Sequence, residues 1–176
     1  MLRNRWASTR RAPRRCWPDA RPASLAALAL AALVVAGAAR GDFAARVVHV
    51  SDGDTLTVVT RGREVRIRLW GIDAPEHGQP WSRRARDALA SRALHREALV
   101  AVRGTDAYGR TLARVRVDGV DLAEAQLRDG YAWVYRRYTS DERLVALEDD
   151  ARAARRGLWS RADAEPPWLW RERQPR

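Results

Sequence analysis

From Arg63 to Ile72 the chain reads REVRIRLWGI, and the alternation leaves little choice of local structure. Val65, Ile67 and Leu69 fall on one face of an extended chain and Arg66 and Arg68 on the other, the period of a strand with one side against a core. Two β-rich segments precede it, RVVHV from Arg46 and DTLTVVT from Asp54, and Arg61–Gly62 marks a tight turn between the second and third. Pro75, Gly78 and Pro80 then force a loop. A helix is predicted from Ser82 to His95, with Ser82 as N-cap and Ala85, Ala88, Leu89 and Ala93 on one face. ALVAVRG and RTLARVRV supply a fourth and a fifth strand, and Asp118–Gly119 turns the chain back. Asp121 and Glu124 make a capping-box pattern for a short helix closed by Gly130. A last helix is predicted from Thr139, burying Leu144, Leu147, Ala151 and Ala154 and ending at Gly157.

Five short strands, one helix inserted between the third and fourth, and two after the fifth define a mainly β fold with α: a small barrel with three packed helices. An OB-type barrel has that strand count, although spacing alone does not fix the topology.

The chain of 176 residues has 33 basic residues, all arginine, against 22 acids. The excess is uneven. Residues 1–40 hold eight Arg and one Asp, whereas residues 41–176 hold 25 Arg and 21 acids. The extreme basicity thus belongs mostly to the N-terminus and is weak evidence for a nucleic-acid partner. That N-terminus has the layout of a signal peptide. A basic stretch precedes the uncharged run of residues 25–39, and small residues at 36–38 suit a signal peptidase. Residues 1–39 are expected to be a cleaved leader, giving a secreted or periplasmic protein. The alternative is an uncleaved membrane anchor through residues 25–39, a run short for a span of roughly 20 residues. The single Cys16 falls inside the leader, so residues 40–160 are expected to fold as one domain without disulfides. Residues 161–176, rich in Pro, Trp and Arg, are expected to form a loosely ordered tail.

The acids fall in two clusters, Asp52/Asp54 and Asp73/Glu76. Taken alone, SDGDT is first a polar turn. Two carboxylates on one strand face would repel, and Gly53 permits a bulge where a hard cation converts repulsion into coordination. Asp73 and Glu76 stand where the third strand runs into the proline-held loop. Arg68 and Arg110 are each a surface charge by default; the sharper reading is a guanidinium fork on phosphate oxygens. His49, His77 and His95 have no metal-ligand spacing, His77 reads as a loop residue, and Trp70 and Trp159 read as packing residues.

SDGDT, RIRLWGIDAPE, DAYGRTLARV and ARRGLW resemble, in order and spacing, the thermonuclease (staphylococcal nuclease) family over about residues 46–160. The resemblance implies an OB-fold barrel with three helices that hydrolyses phosphodiester bonds of DNA and RNA with Ca²⁺. It implies Asp54, Asp73 and the Ala74 carbonyl as metal ligands, with Asp52 behind them through water. Glu76 matches the general base, Arg68 and Arg110 the two arginines on the scissile phosphate, and Tyr108 a nucleotide-phosphate contact. Ala74 stands where the best-known member has threonine, a small change if the ligand is a backbone carbonyl. The loop after Glu76 is short, and the segment Trp133–Tyr138 matches only loosely. The expected function is an exported, calcium-dependent nuclease acting as a monomer on DNA, RNA or both. The alternative is a non-catalytic nucleic-acid-binding OB module, a role for which Asp54, Asp73, Glu76, Arg68 and Arg110 need not all be present.

Overall fold

The computed structural model describes residues 42–174. The predicted leader, its anchor alternative and Cys16 lie outside them. The first strand, β1 (Phe43–Val50), serves two neighbours in turn. Its first half pairs antiparallel with β5 (Glu97–Thr105), and its second half pairs with β2 (Thr55–Thr60). A register shift between Val47 and His49 bends the strand, as a bulge does when a sheet must curl.

From β2 the chain turns through Arg61 and Gly62, both with positive φ, into β3 (Arg63–Leu69). Asn- or Gly-type backbone at both central positions gives the twist that a two-residue hairpin needs. The fifth barrel strand, β6 (Thr111–Val117), pairs antiparallel with β5 and parallel with β3. That parallel pairing closes a five-stranded mixed barrel in the order β3-β2-β1-β5-β6, the OB-fold predicted from the sequence. Two short pairs complete the sheets: β7 (Val120–Asp121) beside β6, and β4 (Ile72–Asp73) beside β8 (Trp133–Val134).

Inward-facing Val47, Leu56, Val58, Ile67, Val100, Ala113 and Val115 fill the barrel. Helix α1 (Ser82–Ala93) is inserted between the third and fourth barrel strands and buries Ala85, Leu89 and Ala93. Helices α2 (Leu122–Arg128) and α3 (Glu142–Ala153) follow the barrel.

Several local readings change. The N-cap of α1 is Trp81, not Ser82. It sits in the left-handed region with no side-chain cap, because the loop enters the helix through a turn in which Ser82 N–H donates to Gln79 O. Asp121 caps α2 as predicted, but Glu124 does not reach back; its carboxylate holds Arg114 and Arg143. Helix α3 starts at Glu142 with Asp141 as cap, while the Thr139 hydroxyl accepts the Asp141 N–H one turn earlier. Ala154 is exposed, and Glu148 is buried in its place on the inner face, where it accepts the Val134 N–H and pairs with Arg136 and Arg152.

The largest departure is the tail. Residues Pro167–Arg173 form a fourth helix, α4, packed on the domain. Pro167 stands at its first position, where a missing N–H costs nothing.

Gly53 marks the tightest point of the assembly. A Cβ there would lie 2.7 Å from the Cβ atoms of both Ala74 and Ala85, so the bend between β1 and β2 is pressed against the loop after β4 and against α1. Gln126, wholly buried in α2, locks it by donating to Gly53 O at 2.7 Å and to Ala85 O at 2.9 Å. Gly53→Ala should therefore cost about 1–3 kcal/mol through overpacking, read as an earlier denaturant midpoint at unchanged slope. An unchanged midpoint would contradict this close approach.

Candidate active site: carboxylates gathered on a buried arginine

SDGDT is the loop of the hairpin that joins β1 to β2, which pair antiparallel up to Val50 and Leu56. Ser51 N–H donates to Thr55 O, and Asp54 N–H donates to Asp52 Oδ1 at 3.0 Å, so the first aspartate braces the second. The braced Asp54 turns inward and is buried. Its Oδ2 accepts the Ala74 N–H at 2.6 Å and its Oδ1 the Thr55 hydroxyl at 3.0 Å. The short β4–β8 pairing, Asp73 opposite Trp133, places Asp73 beside it.

Arg68 joins the two. It lies on β3, opposite Thr55 of β2 and Leu112 of β6, so the barrel wall surrounds it and it is only 9% exposed. Its Nη2 donates to Asp73 Oδ1 at 2.6 Å, and its Nη1 forms an ion pair with Asp54 Oδ2 without making a well-directed hydrogen bond. A surface charge, the default reading for this arginine, is thereby excluded.

The charges respond to this crowding. Burial, followed by the charge of Asp54, pushes the Asp52 carboxyl up to about 7. Burial also pushes Asp54 upward, but Arg68 and the Ala74 N–H outweigh it and hold that carboxyl below the usual range. Asp73 is raised, by burial first and by Asp54 next, against the pull of Arg171 and Arg68. Burial opposes the charge of Arg68, yet Asp54 and Asp73 overcome it and raise the guanidinium above its ordinary value. The cluster thus sets three carboxyl groups, those of Asp52, Asp54 and Asp73, around one buried guanidinium.

Glu76 enters by a different route. It stands in the loop after Asp73, and its carboxylate pairs with Arg171 of α4, which also holds both oxygens of Asp73. Its N–H donates to Gln79 Oε1 at 2.9 Å. Sequence reading missed Arg171 and Gln79. Pro167 at a helix start, with Trp168 and Arg171 three apart on one face, could have signalled a helix, but nothing in the sequence says where that helix docks.

Arg110 and Tyr108 form a separate unit. Asp106 Oδ1 accepts both the Tyr108 and Arg110 N–H groups, and its Oδ2 takes Arg110 Nε at 2.6 Å. Burial raises the Asp106 carboxyl, but the bonds from Arg110 and Tyr108 outweigh it and lower it overall. Arg110 precedes Thr111, which pairs with Ile67 beside Arg68, so both arginines belong to the β3–β6 seam. Among the described residues, no hydrogen bond links Arg110 to the carboxylate cluster. Tyr108 is 87% exposed, with the Arg110 guanidinium 5.7 Å from its ring centre.

Next to Asp52 opens a cavity of about 740 Å³, whose walls include His77, Trp81, Arg83 and Arg84. His77 is a lining residue there and makes none of the site's hydrogen bonds. Trp159 packs edge-on against Trp133, with Arg152 stacked on it, and Trp70 packs against the core. Both are packing residues, as the sequence indicated.

Among the described residues, no group of three or more His, Cys, Asp or Glu side chains is arranged as a ready metal cage. The side-chain donors that converge, on Asp54 and Asp73, are all oxygen, which suits a hard divalent cation and not zinc, and Ala74 meets Asp54 through its N–H.

Carboxylates gathered on a buried guanidinium at the wall of an OB barrel are an arrangement compatible with phosphoryl chemistry. The staphylococcal nuclease homologue family model matches residues 66–161. An uncharacterized endonuclease of Escherichia coli is 43% identical over 134 residues, covering 76% of this chain and 88% of that protein. A micrococcal nuclease of Shigella flexneri is 38% identical over 161 residues, covering 85% of this chain and 92% of that one. The chain belongs to the staphylococcal nuclease family and is a hydrolase of the nuclease type.

Proposed function

We propose that the chain is an exported, calcium-dependent nuclease that hydrolyses phosphodiester bonds of DNA or RNA. The observation that carries this reading is that Asp54 and Asp73, from separate elements, meet on the buried Arg68. In this reading Asp54, Asp73 and the Ala74 carbonyl hold Ca²⁺, and Asp52 stands behind them through water. When bound, the ion would supply Lewis-acid polarisation of the phosphate.

The chain's own groups do the rest. Glu76 takes a proton from the attacking water. Arg68 and Arg110 bind phosphate oxygens and stabilise the charge that develops as the 5′-oxygen leaves. Tyr108, exposed beside Arg110, contacts a neighbouring phosphate of the strand. The competing reading, a binding module without catalysis, leaves unexplained why a barrel wall would bury an acid-rich cluster at a cost in desolvation.

Calcium should raise the melting temperature of the purified chain, following RT ln(1 + [L]/Kd), about 2.7 kcal/mol at a hundredfold excess over Kd. Asp54→Asn should lose that shift and strand cleavage together. Full activity in excess chelator, or a melting temperature indifferent to calcium, would favour the binding module.

Export is supported by the basic, apolar and small-residue layout of residues 1–39. N-terminal sequencing of protein recovered outside the cytoplasm should begin near Ala39 or Arg40. Recovery of cytoplasmic protein beginning at Met1 would refute it.

A further inference from the structure

The C-terminal segment touches the site at three points. The carbonyl of Glu165 accepts Gln79 Nε2 at 2.7 Å, while Gln79 Oε1 accepts the Glu76 N–H at 2.9 Å. Gln79 is only 4% exposed, so one buried amide ties the tail to the backbone of the loop that carries Glu76. Trp168 lies nearly parallel to Tyr135, with ring centres 5.9 Å apart, and the N–H of Tyr135 donates to Gly71 O just before β4. Arg171 makes the third contact. Its Nη2 donates to Asp73 Oδ2 at 2.8 Å, and its Nη1 reaches Asp73 Oδ1 at 3.3 Å and also Glu76 Oε1.

Among the described residues, the Glu76 carboxylate has no other partner, and its side chain is 40% exposed. Without Arg171 it would lose the ion pair that fixes its carboxylate. A general base works only when held within reach of the water it activates, and a misplacement of about 1 Å can cost about a hundredfold in rate. We propose that Arg171 is a positioning residue for this nuclease: buried Asp73 fixes the guanidinium, and the guanidinium fixes Glu76. The proposal rests on the reading of Glu76 as the base.

Two other roles fit the contacts less well. An incidental surface pair would resemble Arg161–Asp163, which joins two exposed side chains close in sequence. Arg171 instead spans 98 residues to a carboxylate that is 1% exposed. A removable plug that competes with the cation would have to leave freely, yet withdrawing the segment strips the Gln79 amide of its Glu165 acceptor and unstacks Trp168. The segment is built as part of the site.

The test is a double-mutant cycle in the full chain, with cleavage of a single-stranded DNA oligonucleotide in calcium for Glu76→Gln, Arg171→Ala and the pair. Arg171→Ala should lower kcat by about 10- to 100-fold, with KM for the strand changed by less than about twofold. Arg171→Lys should restore part of the loss. With Glu76→Gln already in place, Arg171→Ala should cost little more, because its effect passes through Glu76. Calcium affinity by calorimetry should be no weaker for Arg171→Ala than for the parent, because the substitution removes a positive charge from Asp73. Parent-rate cleavage by Arg171→Ala overturns the proposal, and so does tighter calcium binding with faster cleavage, which would make Arg171 an inhibitory counter-ion. Fully additive losses also overturn it, since they mean that Arg171 acts elsewhere. If Glu76→Gln itself cleaves at the parent rate, the assignment of the base fails and this proposal with it, an outcome distinct from failure of Arg171 beside an impaired Glu76→Gln.

Discussion

A guanidinium buried in a barrel wall must be neutralised, and the site is organised around how Arg68 meets that demand. Its partners, Asp54 and Asp73, come from the bend before β2 and from the short β4 strand. Removing one member of such a buried pair costs about 3–5 kcal/mol, because the other is left uncompensated. Arg68 thus adds charge pairing to two segments that the Leu69 and Ala74 N–H groups already join to Asp54. It also leaves an imbalance. Asp52, Asp54, Asp73 and Glu76 face two arginines, Arg68 and Arg171, and burial, with the charge of Asp54 next, pushes the Asp52 carboxyl up to about 7. Carboxylates in excess, with only oxygen donors, are a place where a hard cation is favoured.

The barrel turns that local demand into a site. Because β3 closes parallel on β6, the strand carrying Arg68 lies beside the strand that begins just after Arg110. Gly53 lets the acidic bend press against α1 and the loop after β4, and the buried Gln126 amide holds it there. The α4 helix then approaches the same carboxylates from the other end of the sequence, anchored by Gln79 and by Trp168 on Tyr135. Packing against the barrel and α1 sets the acidic bend, and the two arginines gather the carboxylates.

The parts legible in the sequence were those fixed by short-range rules. Alternation at Val65, Ile67 and Leu69, the Arg61–Gly62 turn and the Asp121 cap each follow from neighbours a few residues away, and all three appear in the structure. The acids and Arg68 were legible through the order and spacing of their motifs, although their meeting in space was not. What stayed hidden depends on distant partners. Trp81 caps α1 because of the loop's path, Glu148 is tolerated inside because Arg136, Arg152 and the Val134 N–H surround it, and Arg171 matters only because α4 docks. A tail of Pro, Trp and Arg carries no local sign of its target.

In the proposed function, water activated at this carboxylate cluster with a bound cation attacks a phosphodiester phosphorus. Cleavage of a single-stranded oligonucleotide in ¹⁸O-labelled water, followed by mass spectrometry of the products, tests it directly. With calcium, one solvent oxygen should appear in the terminal phosphate of the fragment whose 5′-oxygen neighbour has left, and with chelator there should be no cleavage. Unlabelled phosphate, or labelled product at the same rate in chelator, would contradict it.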